Sequence, residues 1–204
     1  MRIAGTFTLL IAVVTLGAAL RAEPVTLNGV TFSDEEGGFV ILEGSGSGSA
    51  ADPFVLVEEI FDDERPAILT IRGVRASFGN RLGGRPVVGF ALVKVVRNRT
   101  GRSWSSFEME LRELKSRPSP FEDGLSFAQT MGGMRLYRSD RFEAVWQTDE
   151  PIDAVTFYDG IVRPGEAVTM EIRVTDYSPN WQFYLIQRRQ VPLAVRSHAS
   201  SRLR

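Results

Sequence analysis

The sequence predicts an all-β protein, an antiparallel β-sandwich of many short strands, and three observations carry that expectation. Apolar and polar residues alternate with period two along most of the chain, the pattern of half-buried strands. Turn-forming residues interrupt the alternation at short, regular intervals. No amphipathic stretch of ten residues or more lies between the strands, so the crossover helices that a parallel sheet normally requires are missing.

The chain opens "MRIAGTFTLLIAVVTLGAALRAEP", with Arg2 ahead of an uncharged apolar run from Ala4 to Leu20 and a small residue, Ala22, before Glu23. That is the pattern of a secretory signal peptide over residues 1–22, with cleavage expected after Ala22. The apolar run is barely long enough to cross a bilayer, and a cleavage site follows it at once. A bacterial lipid anchor would need a cysteine there, and the chain has none. The expectation is an exported protein, periplasmic or extracellular, with no integral membrane segment after cleavage. Zero cysteines in an exported chain also call for a fold that is stable on its core alone, without disulfides. A bacterial source fits that better than a eukaryotic one.

The remaining 182 residues suit one domain, placed at residues 23–190. The first turn signal is Asn28-Gly29, between "PVTL" and "VTF", where both positions tolerate positive φ and a tight hairpin is expected. "GFVILE" and "PFVLVEEIF" read as the next two strands, joined by "GSGSGSAAD". A dinucleotide loop would read GxGxxG before a helix, whereas Gly44, Gly46 and Gly48 run as GxGxG into a strand, and no lysine follows as in a Walker loop. The run is therefore expected to link two strands flexibly. "PAILTIRGV" and "VVGFALVKVV" are further strands. Arg99 to Arg102 connects the latter to "WSSFEMELREL", where Phe107, Met109 and Leu111 alternate with Glu108, Glu110 and Arg112. "MRLYRS", "RFEAVWQT", "AVTFYDG", "AVTMEIRVTDY" and "WQFYLIQRRQ" follow in turn. Pro164-Gly165 suits the centre of a type II turn. Only "EEIFDDERP" and "LSFAQTMGG" suggest short helices. The one basic block, "QRRQVPLAVRSHASSRLR", gathers Arg188, Arg189, Arg196, Arg202 and Arg204 with no acid; such a tail could touch anionic lipid or polysaccharide, but a solvated, disordered end is expected, placed at residues 191–204.

The run Asn98, Thr100-Gly101, Trp104, Phe107, Leu111, with "DGLSFAQ" and "PGEAVTMEIRVTD" further on, resembles exported bacterial immunoglobulin-like β-sandwich proteins. In these a strand ends in a polar Asn-Thr-Gly turn and the tryptophan opens the next. The resemblance spans about Val87 to Val191 and implies an immunoglobulin-like fold and an exported location. It brings no catalytic residues, and the tail lacks the hydrophobic sorting helix that some of those proteins carry.

Charge and composition exclude several function classes. Arg2 and Arg21 fall in the leader, leaving 22 basic against 25 acidic residues, so there is no basic excess of the kind a nucleic-acid partner demands. The one histidine, His198, sits in the tail and cysteine is absent, which sets aside Ser-His and Cys-His nucleophiles and histidine-held zinc. Glu108, Glu110 and Glu113 have a spacing close to the E-x-D-x-x-E run of retaining glycosidases on β-sandwiches. The plainer reading is a solvent-facing row of glutamates on an amphipathic strand. Glu58, Glu59, Asp62, Asp63 and Glu64 form an acidic cluster that calcium could use, although the D-x-[DN]-x-[DN]-G pattern is missing. "NRT" at Asn98 matches a glycosylation acceptor but reads as an exposed turn. Trp104, Trp146 and Trp181 could form a sugar platform if exposed; core or sheet-edge packing is expected instead, least firmly for Trp181.

No catalytic, ligand or metal site and no cofactor is assigned from the sequence. The expected function is that of an exported, non-enzymatic protein acting through contacts with an unknown protein partner or envelope component. A glycan- or calcium-binding module is the alternative, and a glycosidase using Glu108 and Glu113 the weaker one.

Overall fold

The computed structural model describes residues 23–74, 81–82, 85–86, 88–120, 123–128, 137–148, 152–177 and 180–191. Residues 1–22, expected to be a signal peptide, and residues 192–204, His198 among them, lie outside the described residues. Among those described, strands are the dominant regular structure, in two main sheets and a small third.

The seven-stranded sheet runs β1 (Val25–Leu27), β2 (Val30–Ser33), β5 (Ala67–Arg72), β15 (Gln182–Gln190), β9 (Trp104–Arg112), β13 (Ala154–Val162) and β12 (Phe142–Thr148). The six-stranded sheet runs β10 (Leu125–Phe127), β14 (Ala167–Asp176), β8 (Val88–Asn98), β4 (Phe54–Ile60) and β3 (Phe39–Ser45), with β11 (Arg138–Ser139) also on β14. A two-stranded ribbon pairs β6 (Arg81–Leu82) with β7 (Arg85–Pro86).

Alternation decides which side chains turn inward. On β4 Phe54, Leu56 and Ile60 are fully buried, and on β9 so are Phe107, Met109 and Leu111. The two inner faces share one core, and rings from opposite sheets meet within it. Phe32 on β2 packs edge-on against Phe54 with centroids 5.2 Å apart, and Phe90 on β8 stacks with Phe183 on β15 at 6.4 Å. Each such ring contributes roughly 2 kcal/mol by leaving water, which lets the domain hold together without a disulfide.

The turn chemistry behaves as expected at two points. Asn28 and Gly29 have φ of 45° and 82°, closing the β1–β2 hairpin. Gly165 has φ 86°, with the Glu166 amide donating to the Arg163 carbonyl at 3.0 Å.

Several expectations are corrected. "EEIFDDERP" is no helix: it is the end of β4 and a turn that Asp62 closes, accepting from the Glu64 and Arg65 amides at 2.9 Å each. "LSFAQTMGG" begins as β10, with Leu125 and Phe127 buried, and its end lies outside the described residues. The sandwich is also not purely antiparallel, because β4 and β8 pair in parallel, Phe54 opposite Leu92 through Ile60 opposite Asn98. The connection between them needs no helix because it passes through the other sheet as β5.

The glycine run is corrected too. The Ala91 amide donates to the Gly48 carbonyl at 2.9 Å, Asn28 Nδ2 to the Ser47 carbonyl at 3.0 Å, and the Asp52 amide to Ser49 Oγ at 3.0 Å. Gly46 and Gly48 have φ of 86° and 84°, and a Cβ on Gly48 would overlap the Phe54 ring. The run is a fitted clasp over β8 and β4, not a slack linker.

Candidate functional site

Two places gather side chains of chemical interest, one between the sheets and one at an edge. The inner one breaks the apolar alternation three times. Lys94 takes the inward position between Leu92 and Val96, Glu58 that between Leu56 and Ile60, and Gln187 follows Phe183 and Leu185. All three are completely buried. Lys94 Nζ donates to Glu58 Oε1, and Gln187 Nε2, from the opposite sheet, donates to Glu58 Oε2 at 3.2 Å. Burial pushes the Lys94 ammonium below the usual lysine range, against the opposing pull of Glu58. Gln187 Oε1 is buried with no hydrogen-bond partner. An ion pair of this kind costs desolvation that its mutual attraction only partly offsets.

The outer place is the edge of the seven-stranded sheet. Among the described residues β12 pairs with β13 and with no second strand. A cleft of about 1100 Å³ follows β11 and β12, lined by Tyr137, Arg138, Asp140, Arg141, Glu143 and Val145 among others. Tyr137 closes one side of it: its hydroxyl donates to the Ala128 carbonyl at 2.6 Å and lies 3.0 Å from Gln147 Oε1 on β12. Trp146 stands 65% exposed on the outer face of β12, with its indole N–H tied to Thr148 Oγ1 at 3.1 Å. It stands opposite Thr156 of β13, while its neighbour Val145 stands opposite the buried Phe157, so Trp146 is turned away from the core, contrary to the core or sheet-edge packing expected for it. Tyr158, on the neighbouring β13, is 42% exposed.

The candidates named from the sequence are mostly absorbed by structure. Glu108 and Glu110 share the outer face of β9, but Arg188 Nη1 reaches Glu108 at 2.8 Å and Glu110 at 2.5 Å, and Arg112 Nε holds Glu110 at 2.6 Å. Glu110 is 1% exposed beneath these guanidiniums, so the expected solvent-facing row is a charge ladder with a buried rung. Glu113 lies beyond the end of β9 and accepts from Asn180 Nδ2 at 2.6 Å. Burial, reinforced by the nearby charge of Asp123, pushes its carboxyl above the usual range. Glu108 and Glu113 thus serve different neighbours, Arg188 and Asn180.

The acidic cluster disperses in the same way. Glu58 turns inward to Lys94 and Glu59 outward to Arg97 at 2.8 Å. Asp62 closes its own turn, where the Arg65 and Glu64 amides and the Arg65 side chain hold its carboxyl down to about 2. Asp63 accepts from the Gly101 amide at 3.3 Å. Among the described residues no three acidic, histidine or cysteine side chains converge as a metal site would require.

The Asn-Thr-Gly turn is structural. Asn98 Oδ1 accepts from the Thr100 amide at 3.0 Å and lies 2.6 Å from Thr100 Oγ1, while Asn98 Nδ2 donates to the carbonyls of Arg102 at 2.8 Å and Val162 at 3.0 Å. Trp104 Nε1 donates to Thr100 Oγ1 at 3.2 Å. Asn98 is fully buried with both amide hydrogens engaged, so the expected exposed acceptor turn is instead a closed knot. Trp104 is core, 1% exposed, as expected; Trp181 stands 64% exposed before β15. Compared with protein-family models, with curated proteins and with solved structures, the chain matches none.

Proposed function

We propose that this is an exported, non-enzymatic β-sandwich protein that acts by gripping an extended segment of a protein partner along β12, in the cell envelope or outside the cell. The observation that carries the reading is the edge position of β12, which among the described residues pairs with β13 alone, beside its cleft. Natural edge strands are usually blunted by proline, lysine or a covering loop, because an open edge templates pairing with another chain. β12 reads "FEAVWQT", seven residues with neither proline nor lysine. An added strand would gain main-chain hydrogen bonds there, while the cleft and Trp146 select its side chains.

An immunoglobulin-like topology is part of the same proposal, and four strands support it. Consecutive strands β8 and β9 lie in opposite sheets, as do β14 and β15, and β8 pairs with β14 while β9 pairs with β15. That is the relation of strands B, C, E and F in immunoglobulin domains. The parallel β4–β8 pair and the placing of β12 and β13 after β9 depart from it.

A photo-cross-linking residue in place of Glu143 tests the reading in cells of the source organism. One discrete protein adduct is expected from position 143 and none from Glu171, an exposed residue on the outer face of the other sheet. No adduct, or the same adducts from both positions, would reject it. A glycan-binding module remains the second reading, favoured by the exposed Trp146 and Tyr158; tryptophan fluorescence that shifts with oligosaccharide and is unmoved in Trp146→Ala would select it.

A further inference from the structure

We infer that Lys94 and Glu58 join in a spontaneous internal amide bond, Nζ to Cδ, linking the parallel strands β4 and β8 inside the core. The reactants are already placed. Lys94 Nζ is in hydrogen-bond contact with one oxygen of the Glu58 carboxyl, which puts the amine one bond away from contact with the carbon it would attack, as in a near-attack pair. Leu56, not Glu58, is the register partner of Lys94, so the lysine reaches diagonally along the sheet to make this contact.

Each component of the reaction has a residue. Transfer of one proton from the ammonium to Oε1 gives a neutral amine and a neutral acid, a change that a fully buried ion pair favours because two desolvated charges disappear. The amine attacks Cδ as the carbonyl electrons move onto Oε2. Gln187 Nε2, 3.2 Å from Oε2, donates to the oxygen where charge develops. The tetrahedral centre then loses Oε1 with its proton and one from Nζ, as a single water. One N–C bond forms, one C–O bond breaks, and neither an oxidant nor a co-reactant is needed.

The hydrogen-bond inventory of the site supports the product. Before the reaction the ammonium offers three donors and, among the described residues, uses one on Glu58. Gln187 Oε1 is meanwhile left without a donor. The linked form presents one N–H and one carbonyl to the Gln187 carboxamide, which has one acceptor unused and one donor already directed at Oε2. The inference is independent of what β12 binds.

The full chain, purified and denatured, is weighed intact and then digested with trypsin. The expected result is a mass lower by one water, a branched peptide joining the segments that contain Glu58 and Lys94, and no cleavage after Lys94. An unaltered mass with free cleavage after Lys94 would overturn the inference. So would loss of ammonia with a branch at Gln187, which names a different acceptor. The wild-type chain alone decides the bond, so no variant has to fold. The part given to Gln187 is read from the rate of water loss after cell-free synthesis: Gln187→Leu is expected to slow it about 100-fold, whereas an unchanged rate would remove that role.

Discussion

Asn98 concentrates more structure than any other single side chain in the β8–β9 connection. It satisfies two carbonyls, one of them on β13, and receives an amide and a hydroxyl from the turn it begins. Asn98→Ala is expected to destabilise the fold by about 3 kcal/mol in urea denaturation, because several buried polar groups lose their partners together. Asn98→Asp sets a carboxylate against the carbonyls of Arg102 and Val162. Its folded state therefore prefers the protonated acid, so the variant's stability should fall as pH rises through about 4, the reverse of an ordinary paired aspartate. At this scale much was legible. The Asn, Thr and Trp positions are evident as a motif, and period two alone puts Lys94 and Glu58 on apolar faces, a conflict visible in "FALVKVV" and "FVLVEEI". That the two meet, with Gln187 above them, was not legible, because it depends on a parallel register between strands more than thirty residues apart.

Among elements, the β3–β4 clasp shows how a composition can mislead. Serine and glycine in alternation describe a flexible linker equally well, and only the approach of the Phe54 ring and of Ala91 shows why side chains are excluded. Gly48→Ala combines a left-handed backbone with a clash and should cost about 3 kcal/mol. Gly37→Ala, at φ 78° with open space around it, should cost about 1 kcal/mol. Thermal denaturation of the two variants separates the steric part from the backbone part, and equal losses would mean that the clasp yields. The edge at β12 was legible as a strand but not as an edge. Whether Trp146 faces inward depends on which parity the sheet selects, and the sequence "EAVWQT" permits both.

For the whole molecule, the strands and most turns followed from alternation, whereas strand order did not, since it is set by contacts distant in sequence. The seven-stranded sheet makes the point. β15, the last strand described, lies between β5 and β9 and hydrogen-bonds to both. A chain ending at Asp176 would expose the inner edges of two half-sheets and lose Phe183, Leu185 and Gln187 from the core. Near-ultraviolet circular dichroism should show no fixed aromatic packing for it, and a cooperative melt would contradict that expectation. The placement also sets a schedule for biosynthesis. Until residues 182–190 have left the ribosome, β5 is paired on one side only, by β2, and the seven-stranded sheet cannot close; non-local pairing of this kind is slow once it starts. A nascent chain held open in this way stays threadable, the condition that a narrow translocation channel imposes on the export proposed for it.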